Sequence, residues 1–87
     1  MEGTMLYPHV LRLTERNAAP RFGCRDERGR WSWYWRMPAQ AGGEPDYRLL
    51  EPCSRDTEVE FEDLVGRGFL NTREVRSSRG EKLLLAE

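Results

Sequence analysis

His9 is the only histidine in the chain, and Cys24 and Cys53 are its only thiols. A cysteine nucleophile needs a base beside it, and imidazole is the usual one. No local spacing brings His9 to either sulfur, and Cys24 sits in a strand-like run where it is expected to pack among tryptophans. Apolar surroundings of that kind raise a thiol pKa and lower its reactivity. Two distant cysteines and one histidine give no closely spaced ligand pair for a structural zinc. The acids of "DTEVEFED" lack the bend glycine of a calcium loop. "GRG" closes a helical stretch, whereas a phosphate-cradling loop would open one. The expectation is no catalytic residue, no metal site and no cofactor.

Binding chemistry is better supplied. Thirteen of the fourteen basic residues are arginine, whose planar, permanently charged head suits carboxylates, phosphates and aromatic faces. The formal net charge is −1, without the basic excess usual in a protein built mainly to hold nucleic acid. The charge is segregated, however. Residues 1–37 carry seven arginines against four acids, residues 38–65 two arginines against eight acids, and residues 66–87 five basic groups against three acids.

"RGRWSWYWRMP" places Trp31, Trp33 and Trp35 at every second position. Indole faces can stack on bases or cage a cation; they can equally form a core, burying roughly 150–250 Å² each. The chain has ten Leu, four Val and no Ile, and that shortage of aliphatics favours the core. At least two of the three rings would then be core, on one face with Phe22 and Cys24, and Trp35 or Trp31, near the strand ends, is the one to remain partly exposed. Arg21, Arg25, Arg30, Tyr34 and Arg36 would line the opposite face, open to phosphates or to an acidic protein. The competing reading is internal neutralisation of those arginines by the acidic helix. That helix carries Glu58, Glu60 and Glu62, which form either a solvated face or a strip of carboxylates presented to a partner.

The elements that must position these groups follow from pattern. "PHVLRLTE" alternates like a short strand, and "RNAAP" reads as a loop. "RFGCRDERGRWSWYWRMP" is two alternating runs around a turn in "DERG", a hairpin. A four-residue loop pairs Cys24 with Trp31, and a tighter turn at Arg28-Gly29 pairs Cys24 with Trp33. In both registers the period of two leaves Cys24, Phe22 and the tryptophans on one face. "PAQAGGEP" is a loop and "DYRLLEP" a brief strand. "CSRDTEVEFEDLVGRGF" is the helix, capped at Ser54, Asp56 or Thr57 and stopped at Gly66 or Gly68. Its buried stripe is Phe61, Leu64 and Val65. "LNTREVRSSRGEKLLLAE" is a second hairpin turning in "SSRG", with Gly80 free to turn left-handed.

"LVGRGFLNTREVRSSRGEKLLLAE" resembles the wing half of winged-helix transcription regulators, in which a basic hairpin following a helix touches the DNA backbone. The resemblance covers residues 64–87. Upstream lie a loop, a short strand and an acidic helix in place of a helix-turn-helix pair.

Residues 1–87 are thus expected to form one small α+β domain: a twisted antiparallel sheet of four to six short strands packed against one helix. Its core would hold Phe22, Trp33, Phe61, Leu64, Val65 and parts of the last hairpin. No stretch approaches the roughly 20 apolar residues of a membrane span. "MEGTMLYPHVL" lacks the charged and apolar regions of an export signal, so a cytoplasmic protein with reduced thiols is expected. The function expected is a non-catalytic protein-binding module, a regulator or inhibitor of a larger bacterial or phage target. The alternative is a nucleic-acid binder using the Arg/Tyr hairpin face and the wing-like hairpin.

Overall fold

The computed structural model describes residues 7–11, 21–39 and 43–87. Its elements are α1 (Pro8–Leu11), β1 (Phe22–Arg25), β2 (Trp31–Met37), β3 (Asp46–Pro52), α2 (Arg55–Gly66), β4 (Thr72–Arg76) and β5 (Lys82–Ala86). The strands make one antiparallel sheet in the order β3-β2-β1-β5-β4. The fold is α+β, with α2 packed on one face of the sheet.

The start of the described chain corrects the sequence reading. Pro8–Leu11 is a turn of helix, not a strand; residues 12–14, the "RNAAP" loop and residues 40–42 lie outside the described residues. Proline suits the first helical position, and the first-turn amides find an anion. His9 N–H donates to the Glu60 carboxylate at 3.0 and 3.1 Å, and Val10 N–H donates to it at 2.8 Å. The Tyr7 hydroxyl adds a bond to Asp63 at 2.7 Å. Carboxylates on α2 therefore decide the conformation of a segment whose own pattern favours extension.

The first hairpin corrects a second expectation. Asp26 N–H donates to the Arg30 carbonyl at 2.9 Å, Gly29 N–H to the Asp26 carbonyl at 3.0 Å, and Gly29 takes φ of 84°. This is a three-residue loop with a bulge glycine. The register pairs Phe22 with Tyr34, Gly23 with Trp33, Cys24 with Ser32 and Arg25 with Trp31. It lies one residue from each register read in the sequence, and a one-residue slip exchanges faces. Phe22 and Cys24 therefore share a face with Tyr34. Trp31 and Trp33 share theirs with Gly23 and Arg25.

Both faces are consequently apolar. On one, Phe61 of α2 stacks on Trp31 with ring centroids 4.6 Å apart and meets Trp33 edge-on at 5.1 Å. Tyr7, Val10, Cys53, Leu64 and Ala86 complete that core, with Val65 partly buried against it. The other face buries Cys24, Tyr34, Tyr47, Val75, Leu83 and Leu85, with Phe22 packed alongside. The sheet bends to enclose this second core. Tyr47 at the start of β3 forms a parallel bridge with Ser77 after β4, and Ser78 N–H donates to the Tyr47 carbonyl at 2.8 Å. The last hairpin is thus built into the sheet through β5 and β1. Among the described residues it is not preceded by the helix pair that a winged helix requires.

α2 starts at Ser54, whose side chain accepts from Thr57 N–H at 3.2 Å. It ends where Phe69 N–H reaches the Leu64 carbonyl and Gly68 N–H the Val65 carbonyl, with Gly68 at φ of 82°. That is a Schellman ending, which a glycine permits.

Candidate functional site

The five hairpin residues expected to share a surface do not. Arg21, Arg25 and Arg30 stand on the helix side of the sheet. The Arg21 guanidinium lies over the Trp33 ring at 5.1 Å and reaches Glu51 at 3.5 Å. Arg25 lies over Trp31 at 5.5 Å and pairs with Glu62 at 3.0 Å. Arg30 Nε donates to Glu58 at 3.0 Å. Tyr34 is buried in the core on the other face, where burial pushes its phenol up to about 12. Arg36 also lies on that face, its guanidinium 4.4 Å above the Phe22 ring. The register shift separates the five, and neutralisation by the acidic helix describes Arg25 and Arg30, while Arg21 is met by Glu51 of β3.

Glu58, Glu60 and Glu62, three of the five acids of α2, are each engaged by the sheet or by α1. Glu58 is buried and accepts from the Trp31 backbone N–H at 2.9 Å as well as from Arg30. The Trp31 bond, followed by Arg30, holds its carboxyl below the usual range against the opposing effect of burial. Glu60 grips α1, with the His9 imidazole Nδ1 2.6 Å from one oxygen. Burial alone would raise the Glu60 carboxyl, but the bonds from His9 and Val10 outweigh it and hold it low. Glu62 accepts from the Trp31 indole N–H at 2.7 Å and pairs with Arg25. These carboxylates fasten the helix to the sheet and to α1, so they do not form a free acidic strip.

The thiols are quiet. Cys24 and Cys53 are both buried, and burial pushes each up to about 12. His9 faces neither sulfur and is held by Glu60. Among the described residues no three His, Cys, Asp or Glu side chains gather at one point, and no helix is long and apolar enough to cross a membrane.

No family model, curated protein or solved structure matches the chain. The geometry alone carries a functional reading.

What it leaves open to a partner is a strand edge. β3 has β2 on one side; on the other, Tyr47 is bridged to Ser77, and among the described residues no bridge continues along Arg48–Pro52. Tyr47 directs its carbonyl away from β2, and the alternation of a ladder turns the Leu49 backbone the same way. The side chains beside this edge are unusual for their exposure. Leu49 is 52% exposed, and Trp35, paired across the ladder with Arg48, is 41% exposed, whereas Trp31 and Trp33 are buried. Arg48 has no carboxylate within 4.0 Å among the described residues. Sequence reasoning did not find this site. "DYRLLEP" reads as a strand, but its position at the sheet edge depends on pairings far apart in sequence.

Proposed function

We propose that the protein is a non-catalytic binding module that captures an extended segment of another protein by adding it as a strand along β3. The observation that carries this reading is the Arg48–Pro52 edge, unpaired among the described residues and flanked by exposed Leu49 and Trp35. A bound strand gains main-chain hydrogen bonds along the edge and specificity from alternate side chains. Here alternation offers two chemistries. Leu49 lies on the face of Tyr34, while Arg48 and Trp35 lie on the helix side. The segment that fits has an apolar residue for Leu49 and, one position along, an acidic residue for Arg48. Both side chains are already about half buried, so covering what remains supplies about 0.7–1.5 kcal/mol each.

Selection from a library of random extended peptides tests the proposal. Enriched peptides should alternate apolar and acidic residues. Bound to the isotopically labelled protein, they should shift the amide resonances of 48–51 and the Trp35 indole, and Leu49→Lys should abolish binding. Failure of any peptide to enrich, or shifts confined to another surface, would overturn it.

A further inference from the structure

We propose that the end of the sheet carrying both hairpin turns is a second binding surface, one that takes the phosphodiester backbone of a nucleic acid. The two turns are built alike. In the second, Ser77 N–H donates to the Glu81 carbonyl and Gly80 N–H to the Ser77 carbonyl, both at 2.9 Å, with Gly80 at φ of 86°. The Asp26 carboxylate accepts from the amides of Arg28 and Arg30, each at 2.9 Å. Ser77 Oγ does the same for Arg79 and Glu81, at 3.1 and 3.0 Å. Each turn therefore holds an arginine, Arg28 or Arg79, one residue before its left-handed glycine. Because β1 and β5 are neighbours, the turns lie side by side. Arg28, Arg76 and Lys82, together with Asp26, Glu27 and Glu81, wall a cavity of about 540 Å³ between them.

Charge accounting singles this end out. Arg21, Arg25, Arg30, Arg55, Arg67 and Arg73 each have a carboxylate within 4.0 Å. Among the described residues Arg28, Arg36, Arg48, Arg76, Arg79 and Lys82 have none, and four of these six belong to the turn end. Of the neighbouring acids, Asp26 is occupied by two backbone amides and Glu81 by the Ser77 hydroxyl at 3.4 Å. Glu27 alone stands in opposition without a hydrogen bond among the described residues. Fixed turns bring guanidinium groups to phosphates with little ordering of the backbone, and phosphate contacts of this kind are sequence-independent. This surface meets β3 at the Tyr47–Ser78 bond but shares no side chain with the Arg48–Pro52 edge, so either proposal can fail without the other.

The test is fluorescence anisotropy with labelled single- and double-stranded DNA and RNA of mixed sequence, from about 20 mM salt upward. Binding should weaken with salt at a log–log slope of about −2 to −4, the value for release of counterions by a few phosphate contacts. Arg28→Gln with Arg79→Gln should weaken binding about tenfold or more at low salt, Glu27→Gln should strengthen it, and Arg48→Gln should leave it unchanged. Absence of binding at the lowest salt overturns the proposal. So does an unchanged affinity in the double variant, or equally tight binding of polyglutamate, which would assign the surface to an acidic protein.

Discussion

Phe61 occupies the space that a side chain at position 23 would fill. A Cβ built on Gly23 would stand 2.1 Å from Phe61 Cζ, with two further ring atoms within 2.7 Å. The ring cannot simply swing away, because it stacks on Trp31 and abuts Trp33. Gly23→Ala is therefore expected to cost about 1–3 kcal/mol through overpacking, read as a lowered denaturation midpoint. Phe61→Leu in the Gly23→Ala background should recover part of the loss; strictly additive losses would show that the two positions do not meet. At this scale the sequence was partly legible. The scarcity of aliphatics pointed correctly to a buried Trp33 and a second buried indole, and the i, i+3 spacing to Phe61 and Leu64. The role of Gly23 was not visible, since an alternating run gives no sign of which residue a helix ring will cover. Nor was the choice between Trp31 and Trp35 as the exposed end of the ladder, because α2 reaches Trp31 and Trp33 through a ring far along the chain.

The hairpins show how one loop residue decides the identity of a surface. A turn of two or four residues in "DERG" would have kept Phe22 and Cys24 with the tryptophans and left a continuous Arg/Tyr face. The loop of three places Arg25 over Trp31 and sends Tyr34 into the opposite core. The signal was present in "DERGR" and "SSRGE", each with an amide-capping residue three positions before a glycine. It is a turn signature, and propensity for a turn does not by itself set its length. If Gly29 and Gly80 both hold the left-handed bulge position, replacing either by alanine should cost about 1–2 kcal/mol, the penalty for a side chain there. Neither substitution meets a neighbouring atom within 4 Å, so any loss reports backbone strain alone. Equal losses in chemical denaturation would confirm that the two turns are equivalent; a neutral Gly29→Ala would contradict the loop geometry. The strand expected at Pro8 failed for a different reason: its partner is a carboxylate some fifty residues away, and no local pattern encodes that.

Across the whole molecule, acidic side chains hold the layers together. Glu58 and Glu62 fasten α2 to β2, Glu60 fastens α1 to α2, and the segregation of acids into the middle third of the chain is the sequence trace of that arrangement. Glu58 and Glu60 are held below their ordinary value of 4.5 in the folded protein. The unfolded chain then binds protons more readily than the folded one as the pH drops, so stability falls with it. Their contribution is complete above the ordinary carboxylate value and disappears as the pH falls through the lower folded values. The thermal midpoint should be level above about pH 5.5 and decline progressively below about pH 4.5. Glu58→Gln separates charge from hydrogen bonding, because glutamine still offers an oxygen to the Trp31 amide but no charge to Arg30. The variant should be less stable than the native protein at neutral pH, and the two curves should converge in acid. Parallel curves would mean that the carboxylate's charge does not fasten the helix. The same experiment bears on exposure of the core, since release of α2 uncovers Trp31 and Trp33: indole fluorescence should shift to the red as acid brings the midpoint down to the measuring temperature, and at higher pH in Glu58→Gln than in the native protein.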